Sequence, residues 1–328
     1  MFSNKAWQRH GCYHLGSDQY FNIPLQKSLL GCLDDWNSLD HFDPTADSRR
    51  MFGHFLYLRT VYSSLQDGFN LVQRGNWTYF IQLPGSNETQ TEMGLWSFSR
   101  SEISGVQHLP GNSTDQVWLL LTNENTTQTY QYNCSSPQWI SSPYVSGVTV
   151  RNLVAPFETY TLADSLSSFN NDGKAPFQGC LSGVTMDPYG YKILVPATEW
   201  VPPRPALTKF SPGHDARILS DSSGTNNTVT ISFEFNTAMS CAGVTKALTL
   251  NMSSSGHGSN PTFDPNAVTC GQVQNPDPPK LPGDMPSAWS WSVTLQNVPD
   301  GILALTLDHA LANDTVTTTG VCISVSCS

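Results

Sequence analysis

The feature that most constrains this chain is a period-two alternation of large apolar residues, repeated between turn residues. Trp77, Tyr79, Ile81 and Leu83 alternate, Trp96 and Phe98 follow, and Tyr130 and Tyr132 alternate again. Further along, Val229, Ile231, Phe233 and Phe235 do the same, as do Trp289, Trp291, Val293 and Leu295, and then Leu303, Leu305 and Leu307. Successive side chains of a strand point to opposite faces, so each set predicts a strand with one apolar face. The continuous run 117–121 predicts a buried strand, and 191–195 is the last strand candidate of the first set. Turn residues separate these strands, among them Pro84-Gly85, Pro110-Gly111 and Asn123-Glu124-Asn125. Many short strands divided by such turns read as antiparallel β-sandwiches.

One stretch departs from this period. Met51, Phe55, Leu58, Tyr62 and Leu65 are spaced by four, three, four and three, which predicts one helix over 47–66 with Asp47 near its start and Gly68 past its end. Nothing before it is long enough to bury that apolar face, so the face is expected to be exposed and to cause aggregation. A proline-rich joint, Val201-Pro202-Pro203-Arg204-Pro205, predicts a stiff spacer between two β units. The expected organisation is mainly β: a segment over 1–68 ending in the helix, a sandwich over 69–198, a linker over 199–207, and an immunoglobulin-like sandwich over 208–328 that stops short of its last strand.

Composition bears on the environment. Charged residues make up 13% of the 328, about half the usual share of roughly 25%, and the net charge is −10. A nucleic-acid partner is excluded on this reading, because phosphate binding needs a basic face and the longest basic run is Arg49-Arg50. The 8 cysteines carry no Cys-x-x-Cys spacing, so they predict disulfides in an oxidising compartment and no zinc site. Cys12–Cys32, Cys134–Cys180 and Cys241–Cys270 each fall inside one proposed unit and are the expected pairs, although connectivity does not follow from sequence alone. Glycosylation sequons stand at Asn76, Asn87, Asn112, Asn125, Asn133, Asn226, Asn251 and Asn313, which agrees with a secretory-side chain. The first residues lack a basic start and an apolar stretch, so a leader is expected upstream of Met1.

Candidate chemistry is sparse. Asp34, Asp35, Asp40 and His41, with Asp43 beside them, form the densest acidic cluster. They can be read as substrate-side oxygen ligands or as turn-capping residues of a solvated loop, and they lack Asp-x-Asp-x-Asp-Gly calcium spacing. His10 and His14 are four apart without the glutamate of a zinc helix. His214-Asp215 lacks a nucleophile elbow. Trp77 with Tyr79, and Trp289 with Trp291, can serve as platforms for sugar rings, but alternating aromatics usually fill a sandwich core, and that is the expectation for both pairs. No catalytic residue, metal ligand or cofactor site is assigned.

Longer strings carry a resemblance. The junction 58–68 resembles the crossing from an alpha-amylase barrel into its C-domain, and 186–195 resembles the closing strand of such a C-domain. More narrowly, NKAWQRHGCYHLGSDQYFN (4–22), DDWNSLDHFDPTADSRR (34–50), DGFNLVQRGNWTYFIQLPGSN (67–87), EMGLWSFSR (92–100) and ALTKFSPGHDARI (206–218) resemble the extracellular part of fungal cell-wall alpha-1,3-glucan synthases. The resemblance implies a large multi-span membrane enzyme with an outer amylase-like region and a cytoplasmic transferase using UDP-glucose. It implies that this chain is an internal piece: the tail of a (β/α)8 amylase-type barrel, then an antiparallel β-sandwich C-domain and an immunoglobulin-like β-sandwich. A retaining glycosidase needs two carboxylates about 5 Å apart on barrel strands, and none is carried over to this chain. The piece is therefore expected to be catalytically silent and to lie on the extracellular side of the plasma membrane. Its expected partners are alpha-glucan chains and the barrel and transferase regions of the same polypeptide. The other readings are a secreted carbohydrate-binding or cell-wall structural protein and the C-terminal part of a secreted alpha-amylase.

Overall fold

A computed structural model describes residues 45–103, 105–107, 116–131, 133–135, 140–165, 178–212, 217–218, 228–253, 261–274, 279, 281–296, 298, 301–307 and 321–327. Apart from the residues at the start of the first helix, these form two compact units, one built on Gly53–Arg204 with the described part of Asn275–Pro286, the other on Pro205–Gln274 and Ser287–Ser328.

The first unit opens with a helix that the sequence foresees as one piece and the structure breaks in two. Helix α1 spans Asp47–Val61 and α2 spans Ser63–Asp67. Tyr62, at φ −107° and ψ 100°, leaves the helical path between them. It is pinned there because its hydroxyl donates to the Glu199 carbonyl oxygen at 3.3 Å and accepts from the Val201 amide at 2.9 Å. Gly68 ends α2, its amide donating to the Ser64 carbonyl oxygen at 3.1 Å. A side chain there would run into the Ser64 and Ser101 carbonyls, so glycine is required by close approach.

Eleven strands follow, the longest being β1 (Asn70–Gln82) and β2 (Gln90–Ser101). Next come β3 (Val117–Thr122), β4 (Gln128–Gln131), β5 (Ser141–Val145), β6 (Thr149–Asn152), β7 (Thr159–Thr161) and β8 (Ala163–Asp164). The last three are β9 (Gln178–Cys180), β10 (Gly183–Met186) and β11 (Tyr191–Pro196). A six-stranded sheet runs in the order β1-β2-β3-β11-β6-β7, faced by the pair β10-β4 and the triplet β5-β9-β8. Leu95, Trp118, Leu120, Val150 and Leu194 of the large sheet pack on Tyr130, Val184 and Met186 of the pair. On the opposite side of that sheet, Leu58 and Tyr62 pack on Val117, Leu153, Ile193 and Val195.

One expectation is corrected here. The apolar face of the helix is not left exposed: Leu58 is 2% and Tyr62 6% accessible, because the partner lies later in the chain rather than before it. The stretch 191–195 is last in this unit's sequence but central in its sheet, between β3 and β6, which explains its continuous apolar run.

The second unit is a sandwich of two four-stranded sheets. One is β12-β14-β17-β16, formed by Leu207–Ser211, Val229–Phe235, Ser287–Leu295 and Thr269–Gln274 in that spatial order. The other is β13-β19-β18-β15, formed by Arg217–Ile218, Val321–Cys327, Gly301–Leu307 and Leu248–Ser253. Phe233, Phe235, Trp291 and Val293 of the first sheet meet Leu248, Leu303, Leu305 and Leu307 of the second in one core. A short helix, α3 (Cys241–Ala247), is capped by Ser240, whose hydroxyl accepts from the Gly243 amide at 3.1 Å. Val321–Cys327 pairs with the whole of Gly301–Leu307, and the hydrogen-bonding edge of β18 accounts for its place.

Cys134–Cys180 and Cys241–Cys270 are disulfides, with Cα atoms 5.8 and 6.1 Å apart. Cys12 and Cys32 lie outside the described residues.

Candidate functional site

The first unit carries its most unusual surface on β1. This strand is an edge of the large sheet, paired only with β2. Past a register shift between Gln73 and Gly75, Trp77 and Tyr79 stand opposite Leu95 and Met93, on the sheet's inner face. They were expected in the core, and the structure corrects this: Trp77 is 43% and Tyr79 48% exposed. Leu95 beside them is fully covered, so the edge strand runs out past the facing layer and carries its aromatics with it. Phe80 and Leu83 are exposed as well. A cluster of exposed large apolar residues on an unpaired edge marks a surface that meets something else.

Polar groups hold this surface in place. The Tyr79 hydroxyl donates to Glu124 Oε2 at 3.1 Å, and Glu124 is itself buried. That hydrogen bond, with desolvation and the carboxylate's charge adding to it, raises the phenol above its ordinary value. Asn123 ties the same loop to β2, its Oδ1 accepting from the Gly94 amide at 3.0 Å and its Nδ2 donating to the Glu92 carbonyl oxygen at 2.9 Å. Thr78 donates to Glu92 Oε1 at 2.6 Å. The result is a pair of exposed aromatic rings on one face of the β1–β2 hairpin, with the Tyr79 hydroxyl held by the Glu124 carboxylate. Such rings offer a flat apolar face that suits the C–H face of a sugar.

A second feature is an open cleft of about 290 Å³ between β7 and β11 on one side and the β4–β10 pair on the other. Its lining includes Thr129, Glu158, Tyr160, Thr185, Asp187 and Lys192. Lys192 is buried, and its Nζ lies 2.6 Å from Glu158 Oε2. The same oxygen accepts from Asn152 Nδ2 at 2.9 Å and Tyr160 Oη at 3.2 Å. Burial, then the charge of Glu158 and the hydrogen bond to it, push the Tyr160 phenol well above its ordinary value. Three donors converge on one carboxylate oxygen, which is the geometry of a satisfied, partly buried ion pair. Sequence reasoning missed Glu158 and Lys192. Lys192 stands inside an otherwise apolar strand, and that placement was the available signal.

The other sequence candidates separate. Asp34, Asp35, Asp40, His41, His10, His14 and His214 lie outside the described residues, as do Asn112, Asn226 and Asn313. Trp291 is fully buried, donating from Nε1 to Thr245 Oγ1 at 3.0 Å, and Trp289 packs against the same core. Asn76, Asn87, Asn125, Asn133 and Asn251 are all exposed. Among the described residues, no group of three or more His, Cys, Asp or Glu could hold a metal ion. Among them, no helix is long and apolar enough to cross a membrane.

Comparison with known proteins agrees with this architecture. Residues 69–200 match the family described as Mok13-like, GH beta-sandwich domain, and residues 202–323 match the Mok13, Ig-like beta-sandwich domain. The chain is thus a tandem of two Mok13-type β-sandwich domains. It is a homologue of the cell wall alpha-1,3-glucan synthases along nearly its whole length. It is 37% identical over 322 residues to cell wall alpha-1,3-glucan synthase mok11 of Schizosaccharomyces pombe, a match covering 96% of this chain and 13% of the relative. It is 35% identical over 318 residues to mok13 and 30% identical over 321 residues to ags1 of the same organism, each match again covering 96% of this chain and 13% of the relative. The chain therefore corresponds to about an eighth of the length of these relatives. No solved structure matches it.

Proposed function

We propose that this chain is a non-catalytic, glucan-contacting portion of an alpha-1,3-glucan synthase, lying on the extracellular side of the plasma membrane. The relatives named above support the parent activity, a glycosyl transfer that builds cell-wall alpha-1,3-glucan. UDP-glucose, its donor, belongs to a transferase region elsewhere in such a polypeptide. In this reading helix α1 is the closing helix of an amylase-type barrel, and the large sheet is the C-domain on which the barrel rests.

The observation that carries the glucan contact is the exposure of Trp77 and Tyr79 side by side on the edge hairpin β1–β2. Rings held in place before the ligand arrives lose little conformational entropy on binding. A glucan strand can lie along β1 with its sugar faces on the two rings, while its hydroxyls reach water and the Tyr79 oxygen. The test is sedimentation of the purified chain with insoluble alpha-1,3-glucan, with cellulose as control, alongside an assay for glucan hydrolysis. Retention on alpha-1,3-glucan without hydrolysis fits the proposal. Free passage through both polymers, or turnover of glucan, would refute it.

A further inference from the structure

Asn76 occupies a position unlike the other exposed sequon asparagines. It lies on β1 directly opposite Trp96 of β2. Trp96 is opposite Leu121 of β3, and Leu121 is opposite Tyr191 of β11. These residues form one row across the outer face of the large sheet, the face that α1 covers further along at Val117, Ile193 and Val195. The helix does not finish the job: Leu121 remains 41% and Tyr191 36% exposed, although the Tyr191 ring meets Phe55 at 5.9 Å. Directly opposite residues in an antiparallel pair have Cβ atoms roughly 5 Å apart, so whatever Asn76 carries begins beside the Trp96 ring.

The neighbouring position on β2 carries no side chain. Opposite Thr78 the ladder has Gly94, at φ +134°, where a side chain would collide with the Trp77 backbone. Glycine is thus required there. Asn76 Nδ2 donates to Thr78 Oγ1 at 3.0 Å, so the carboxamide is already oriented by the hydroxyl of its own sequon. By contrast Asn251 faces Ala304 across its ladder, and Asn87, Asn125 and Asn133 sit outside strands.

We propose that Asn76 carries an N-linked glycan whose first N-acetylglucosamine lies across Trp96 and shields the apolar row behind it. The apolar C–H face of the sugar stacks on the indole, and the glycan's bulk covers Leu121. In forming it, Asn76 Nδ2 bonds to C1 of the first sugar of a lipid-pyrophosphate-linked oligosaccharide, the C1–O bond to pyrophosphate breaks, and Nδ2 loses one proton. The remaining N–H can still donate to Thr78. Strand β1 then has two different faces: one closed by the protein's own sugar, the other, with Trp77 and Tyr79, open. The modification also keeps an aromatic edge strand from pairing with a second copy. This inference rests on the extracellular placement proposed above.

The test uses the whole chain secreted from a eukaryotic host. Glycopeptide mass spectrometry reads occupancy at each sequon. Binding of an apolar dye and Tm are then compared before and after complete enzymatic deglycosylation, in the wild type and in Trp96→Thr, Leu121→Thr, Asn76→Gln and Asn251→Gln. The expected result is occupancy at Asn76, with deglycosylation raising dye binding severalfold and lowering Tm by several degrees. That response should vanish in Asn76→Gln, shrink in Trp96→Thr and Leu121→Thr, and persist in Asn251→Gln. Occupied sequons elsewhere with Asn76 bare overturn this inference and leave the extracellular reading standing. An unchanged response in Trp96→Thr and Leu121→Thr overturns the stacking. No occupied sequon at all overturns both.

Discussion

His54 Nε2 donates to the Leu153 carbonyl oxygen at 2.9 Å, joining residues 99 apart in sequence and fastening helix α1 to the end of β6. A carbonyl can only accept, so Nε2 carries the proton. The ring is walled in by Gly283, where a Cβ would come within 2.5 Å of Nδ1, and the Gly283 amide donates to the Val154 carbonyl oxygen at 2.8 Å. One imidazole thus gathers the helix, the loop after β6 and the 281–284 turn.

Burial holds the His54 pKa below its ordinary 6.5, outweighing the hydrogen bond to Leu153, which raises it. The folded state therefore resists protonation more than the unfolded chain does. Stability is full above the unfolded value and is lost as pH falls below it, with a slope of up to about 1.4 kcal/mol per pH unit. Thermal melts from pH 8 to pH 5 are expected to show this loss. His54→Gln keeps a donor without a titration in this range, so the wild-type-minus-variant stability difference should fall as the pH is lowered towards 5. A constant difference across that range would show that His54 does not contribute.

Lys192 and Glu158 are expected to behave as a pair. Lys192→Met leaves a carboxylate facing a largely buried site, at a cost on the order of 2–4 kcal/mol, reduced from the fully buried case because Glu158 keeps some contact with water. Adding Glu158→Gln should recover much of that loss. Urea denaturation of the two single variants and the double variant measures the coupling, and simple additivity would mean that the pair is not acting as one.

The Cys134–Cys180 bond closes a loop of 46 residues of separation around the β5-β9-β8 triplet. The chain-entropy relation puts its contribution at about 4 kcal/mol. Replacing both cysteines with serine should lower the denaturation midpoint of the first unit accordingly. Peptide mapping of the non-reduced protein should recover the 134–180 linkage.

For glucan, Trp77→Ala and Tyr79→Ala are each expected to weaken binding about tenfold, corresponding to about 1.4 kcal/mol. Tyr79→Phe keeps the ring and loses the bond to Glu124, so it should cost less than Tyr79→Ala. Circular dichroism should show all three folded, since the rings lie outside the core. Affinity electrophoresis in soluble alpha-glucan checks the order, and equal binding by all forms would remove these rings from the contact.

The strands were legible because alternation is a local property. Val229–Phe235 buries every second residue, and Trp291, Val293 and Leu295 of the Ser287–Leu295 strand do the same, as written in their sequences. The continuous run 117–121 likewise announced a buried strand; α1 packs on one of its faces and the β4–β10 pair on the other, while Leu121 at its end stays 41% exposed. Alternation cannot say how far the facing layer extends, and this is why Trp77 and Tyr79 looked like core. Their strand has the same pattern as Val229–Phe235, but it stands at the sheet edge, beyond the reach of the second layer.

Other decisions lay further from the local sequence. The break at Tyr62 depends on Glu199 and Val201, and no property of 47–66 alone contains it. Glu158 and Lys192 are 34 residues apart and meet only because β11 enters the middle of the large sheet. The sequence by itself determined that this is a mainly β chain with one amphipathic helix ahead of two β units, because periodicity and turn chemistry act over a few residues. Only the tertiary structure decided which apolar faces are covered and which stay open. That depends on strand order and on the lateral extent of each layer, which arise from contacts between residues tens of positions apart.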